Sequence, residues 1–139
     1  MDAQRQEMLL ERLNQSSRNT LMKTLEIRYT AVGDDHLEAT MPVGPVVHQP
    51  MGLLHGGATA ALAESVGSAA SALRIDISKQ SVVGTSLSVH HLRGMREGVV
   101  TARAEVVHLG RSTHLWQIRV RDETDRLVAD ARLTMMVLG

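Results

Sequence analysis

No cysteine occurs in the sequence, which removes disulfides, thiolate metal centres and cysteine nucleophiles together and leaves the chain indifferent to redox compartment. Phenylalanine is also missing, and Tyr29 and Trp116 are the only aromatic residues. Base stacking on an aromatic platform is therefore a poor candidate function, and aliphatic side chains and methionine must fill the core. No charge of one sign predominates, since 15 Lys and Arg balance 15 Asp and Glu. Nothing global steers the chain toward nucleic acid or an anionic membrane, so an anionic ligand has to meet a local patch. Long apolar runs are lacking as well. The opening "MDAQRQEMLLERLNQSS" alternates charge with apolar residues and has no signal-peptide core, and no later segment could span a bilayer. The expectation is a soluble, cytoplasmic protein, and 139 residues is the length of a single domain, 1–139.

What is present reads as alternating elements. Met8, Leu9 and Leu13 recur at helical spacing between charges, predicting a peripheral N-terminal helix within residues 1–18. Leu25, Ile27, Tyr29 and Ala31 alternate with polar residues, as do Leu37, Ala39, Met41 and Val43 after the turn signal "GDD", which predicts a two-stranded hairpin. "GPVVHQPMG" reads as a loop. From about Gly56 to Leu73 an alanine-rich run without proline carries the longest helix signal of the chain. Beyond it, "VVGTSLSVHHLR", "GVVTARAEVVHL", "STHLWQIRVRD" and "RLVADARLTMMVL" all alternate with period two, which predicts four strands joined by short connections. The order suits an α+β fold, with an antiparallel sheet packed on one central helix.

On that helix, Leu62, Val66, Ala69 and Leu73 share one face, while Glu64, Ser68 and Ser71 share the opposite one. A lone helical glutamate is ordinarily a solvated surface carboxylate. Here, however, the polar face is otherwise Ala, Ser and Gly, which suits close approach by a backbone or ligand. The helix also opens on "HGG" rather than on Ser, Thr or Asp, so its first N–H groups are expected to be unclaimed by a side chain. Unpaired N–H groups at a helix start, with the partial positive charge there, can stabilise an oxyanion on a polarised carbonyl. Gly56 and Gly57 would let a substrate come close, although glycines at a tight turn need no ligand to explain them.

"GLLHGG" followed by a helix with Glu64 eight residues past the first glycine of "HGG" resembles the hotdog-fold acyl-CoA thioesterases of the PaaI-like superfamily. The likeness is strongest to the branch of the Arthrobacter-type 4-hydroxybenzoyl-CoA thioesterase and its menaquinone-pathway relatives acting on 1,4-dihydroxy-2-naphthoyl-CoA. "QPMGLLHGG", "LAESVGSAAS", "REG" and "HLGR" occur in the order of that branch, from about residue 20 to the C-terminus. The resemblance implies a hotdog fold, an antiparallel sheet wrapped around one long central helix. It implies hydrolysis of an acyl-CoA, with an aryl or polycyclic acyl group, to a carboxylic acid and free CoA, with CoA as part of the substrate and no other cofactor.

Residue by residue, the resemblance makes Glu64 the nucleophile or general base and Gly56 N–H the oxyanion donor. Gln49 and His55 orient the thioester or support that donor, and Ser68 positions the carboxylate or water. A thioester carbonyl needs polarisation, and a carboxylate can attack it or take a proton from water, so both routes stay open. His91 shares strand parity with Leu87 and Val89, which puts it on the inward side, and it matches a histidine of the menaquinone-type relatives. Arg93, Arg96 and Arg111, with Ser112 and Thr113, gather in strand-end loops where the resemblance places the CoA nucleotide and phosphates. The pairs His90/His91 and His108/His114 lack metal-ligand spacing, so no metal is expected. The resemblance further implies a homo-oligomer: a dimer with shared active sites, assembled as a tetramer. Competing readings are a hotdog hydratase or dehydratase and a noncatalytic acyl-CoA-binding regulator. Against them stand the direct joining of "HGG" to the Glu64 helix and the presence of Gln49 and His55 beside Glu64.

Overall fold

Alternation in the sequence becomes alternation of burial. Leu37, Ala39, Met41 and Val43 are all buried, with half-buried Glu38, Thr40 and Pro42 between them, as expected of a strand with one face on a core. The structure, a computed structural model, describes residues 1–139. Helix α1 (Ala3–Ser16) and a short helix α2 (Leu21–Thr24) precede strands β1 (Arg28–Val32) and β2 (His36–Val43). Helix α3 (Gly56–Ala72) follows, and then strands β3 (Ser81–His91), β4 (Gly98–Leu109), β5 (Thr113–Arg121) and β6 (Leu127–Leu138). The six strands form one antiparallel sheet in the order β1-β2-β4-β5-β6-β3. Because β2 lies near one edge and β3 at the other, α3 must cross the sheet between them, and it packs against β2 through β6. This is the hotdog arrangement, α+β with a single central helix.

Three expectations need correction. The chain from Leu21 to Thr24 is helical and Leu25 caps it, so the first strand starts only at Arg28. A bulge between Tyr29 and Ala31 then shifts the parity, so that Val32 takes the buried place and Ala31 is only half-buried. On α3 the core face is Thr59, Leu62, Ala63, Val66, Gly67, Ala70 and Ser71. Ala69 and Leu73 sit at its margin, half-buried.

Ser71 is thus in the core and not beside Glu64, and a hydrogen-bond network accounts for its burial. The indole Nε1–H of Trp116 donates to Ser71 Oγ at 2.6 Å. His114 Nδ1 lies 3.0 Å from the same oxygen. With Oγ accepting from the indole, its own proton can go to Nδ1, which satisfies three buried polar groups at once. Burial pushes the His114 pKa below its ordinary 6.5, and the nearby charges of His108 and Arg74 act in the same direction.

A stability prediction follows from the sign of that shift. The unfolded chain takes up a proton at this histidine near pH 6.5 while the folded chain resists it, so stability is full above that pH and falls as pH drops below it. Thermal melts between about pH 5 and 8 should show this slope, and His114→Gln should reduce it. An unchanged slope in the variant would remove His114 as its origin.

Candidate active site

The segment between β2 and α3 is held by its own backbone. A 3-10 turn at Pro45–Val47 leads into an isolated bridge between His48 and Leu54. Leu54 N–H donates to Met95 O and His55 N–H to Val47 O, each at 2.7 Å, so the start of α3 is tied both to this loop and to the β3–β4 connection. Gln49 Oε1 accepts from the N–H groups of Met51 and Leu53. Its side-chain oxygen is thereby used inside the loop, and its NH2 group is left to face outward.

At the helix start the sequence expectation fails in one respect. His55 is the N-cap, and its Nδ1 accepts from Gly57 N–H at 2.8 Å. A histidine does here what Ser or Asp usually does, and the bond puts the proton of the neutral ring on Nε2. Gly56 N–H, one residue earlier, has no acceptor in the chain. The His91 ring lies over Gly56, so close that a β-carbon there would sit 3.1 Å from His91 Nε2. Gln49, Gly56, His91 and Arg93, together with Leu53, Leu54, Thr59, Leu92, Gly94 and Val128, line one open cleft of about 450 Å3.

Glu64 is elsewhere. It is exposed, takes part in no ion pair, and rests against β3, where a β-carbon on Gly84 would meet its Oε2 at 3.0 Å. Eight residues of helix separate it from Gly56, about 12 Å at 1.5 Å per residue. Ser68 shares a groove with Glu64, but its hydroxyl contacts Met135 Sδ at 3.7 Å and not the carboxylate.

The five residues expected around CoA do not gather within one chain. Arg93 and Arg96 belong to the β3–β4 connection, Arg111 and Ser112 to the β4–β5 turn and Thr113 to the start of β5, at the two ends of the twelve-residue β4. At about 3.3 Å per residue those ends are some 40 Å apart. Arg96 is engaged locally, reaching Met51 O at 3.5 Å, while its backbone carbonyl faces His48 Nε2 at 2.7 Å.

The thioesterase superfamily profile matches residues 51–129, which is more than half of the chain and takes in the helix start, Glu64 and β3 through β5. The chain belongs to the thioesterase superfamily. As a member it is a thioester hydrolase. It is 48% identical over 132 residues to a proofreading thioesterase of Cronobacter turicensis, covering 95% of this chain and 96% of that one. It is 45% identical over 129 residues to the 1,4-dihydroxy-2-naphthoyl-CoA hydrolase of Escherichia coli K12, covering 93% and 94%. A crystallised thioesterase of Pseudomonas aeruginosa superposes with a TM-score of 0.91 at 49% identity, covering 93% of both chains.

In this thioesterase Thr59 was not anticipated as part of the cleft. It stands three residues past Gly56, hence on the same side of α3, and that spacing was the available signal. The groove formed with the N-terminal helices was also missed, because a sequence does not show which face of α3 they approach.

The cap can be tested by itself. His55→Ala should lower stability by about 1 kcal/mol in chemical denaturation, and His55→Asn, whose side-chain oxygen can take the same bond, should recover most of the loss. Equal stability of wild type and His55→Ala would show the cap to be without consequence.

Proposed function

We propose that this thioesterase is a cytoplasmic enzyme that hydrolyses an acyl-CoA with an aryl or polycyclic acyl group. The observation that carries the reading is the pairing, on one helix, of an unclaimed Gly56 N–H with an unpaired Glu64 carboxylate. The naphthoyl-CoA hydrolase among the relatives supports the substrate class.

The thioester oxygen accepts from Gly56 N–H, where the N-terminal end of α3 adds partial positive charge. Glu64 then either attacks the carbonyl carbon, giving an anhydride that water opens, or takes a proton from a water that attacks directly. In both routes the C–S bond breaks, CoA leaves as the thiolate and takes up a proton, and the acid is released. His55 holds the helix start, Gln49 presents its NH2 group to the thioester, and His91 covers the donor. Ser68 sits one turn beyond the carboxylate.

The 12 Å between Gly56 and Glu64 calls for a second copy of the chain. β3 is an edge strand of eleven residues with one side unpaired, the kind of edge that proteins cover. Two β3 strands paired antiparallel about a two-fold axis would bring the partner's Glu64 toward Gly56. The same operation carries across the β4–β5 turn. Arg93 and Arg96 of one chain then flank CoA together with the partner's Arg111, Ser112 and Thr113. Two such dimers make the proposed tetramer.

Thiol release from a panel of acyl-CoAs tests the reading. Wild type should release CoA from aryl-CoA, while Glu64→Gln should lower kcat at least about a hundredfold with KM little changed. Near-normal turnover of the variant would take Glu64 out of the mechanism. Binding without thiol release would point to a noncatalytic role.

A further inference from the structure

Thr59 belongs to the core face of α3 and at the same time lines the cleft at the helix start. It is 1% exposed. A helical threonine can settle its hydroxyl on the carbonyl one turn back. Here that carbonyl, His55 O, accepts the N–H groups of Ala58 at 3.0 Å and of Thr59 itself at 3.2 Å, and no hydroxyl. The Thr59 hydroxyl has no partner in the chain, yet the one fully enclosed side-chain polar atom that lacks a partner is Arg74 Nε. The Thr59 oxygen is therefore reached from the cleft. Valine would fill the same space with no hydrogen bond left unmade, so packing alone does not account for threonine at this place.

We propose that the Thr59 hydroxyl is a second donor to the thioester oxygen, beside the Gly56 N–H. The inference rests on the reading that Gly56 and Glu64 serve that carbonyl. Residues three apart share one side of a helix, and helical side chains lean toward the N-terminus. The Thr59 side chain thus leans back over the turn that Gly56 opens. Gly56 has no side chain to stand between the hydroxyl and the cleft, and a β-carbon there would press on His91 Nε2 at 3.1 Å. One N–H occupies one lone pair of a carbonyl oxygen, and a hydroxyl that turns freely about its C–O bond can meet the other. Leu54 and Val128 border the cleft with apolar surface, which strengthens a hydrogen bond made there relative to one in water. As charge grows on the oxygen during attack the bond tightens, so its contribution falls on the chemical step more than on binding.

Thr59→Val removes the hydroxyl at nearly constant volume, and Thr59→Ser keeps it while losing the methyl group. Steady-state thiol release from benzoyl- and naphthoyl-CoA should be compared for wild type, Thr59→Val, Thr59→Ala, Thr59→Ser and Glu64→Gln, with melting curves to verify folding. Thr59→Val should lower kcat at least about tenfold with KM within about threefold, Thr59→Ala should do the same should valine not be accommodated, and Thr59→Ser should stay within about threefold of wild type in both constants. A purely structural role would instead lower Tm and would not be restored by serine. Wild-type kcat in folded Thr59→Val, a raised KM with kcat unchanged, or an equal loss in Thr59→Ser would each overturn the donor role, while a large fall of kcat in Glu64→Gln measured beside it would leave the catalytic reading standing. Near-normal turnover in both Thr59→Val and Glu64→Gln would overturn both.

Discussion

The rise of an α-helix is the constraint on which the site depends. Gly56 and Glu64 belong to one unbroken helix, and at about 1.5 Å per residue their α-carbons are held about 12 Å apart. The helix cannot bend to bring them together, because Leu62, Ala63 and Val66 between and just beyond them are fully buried against the sheet. If that donor and that carboxylate serve one carbonyl carbon, as proposed, they are fixed too far apart within the chain to do so alone. The same rigidity becomes useful once two helices face each other, since each then offers a donor at one place and a carboxylate at another with no motion needed.

Each end of that helix is secured by different chemistry. At the start, His55 caps Gly57 and the loop before it is closed on itself by Gln49 Oε1 and on the β3–β4 connection by Leu54. This holds the Gly56 N–H in place without using it. Toward the far end, Ser71 reaches into the core to Trp116 and His114. A buried hydroxyl with two partners resists sliding or rotation of the helix more than alanine would, since a shift would leave the indole N–H unpaired. Hydrogen bonds at the helix start and in the core therefore share the task of fixing the register of α3 on the sheet.

Much of this was legible in the residues. Period-two alternation located β2 and β4 through β6 closely, and "GVVTARAEVVHL" coincides with β4. The resemblance carried by "GLLHGG" and Glu64 identified the fold and the family. Local signals failed where tertiary partners decide. Ser71 reads as polar by type, yet its place is set by Trp116, 45 residues away. The cap by His55 was not read because histidine seldom serves there. Arg93 and Arg111 looked like neighbours because both lie in strand-end loops, but a twelve-residue strand stands between them. Leu25 was read as the first residue of a strand, yet it caps a short helix whose Leu21 and Met22 line the groove beside Glu64.

Whether one carbonyl is served by two chains can be decided by mixing damaged subunits. Gln49→Ala and Glu64→Ala proteins, each nearly inactive alone, should be unfolded together and refolded, with subunit exchange verified by mass. If Gly56 and Gln49 of one protomer work with the partner's Glu64, a mixed dimer holds one doubly damaged site and one intact site. Random pairing should then restore roughly a quarter of wild-type activity when sites are independent. Confirmed exchange without recovery would contradict the shared site and place Gln49, Gly56 and Glu64 in service of one carbonyl within a single chain.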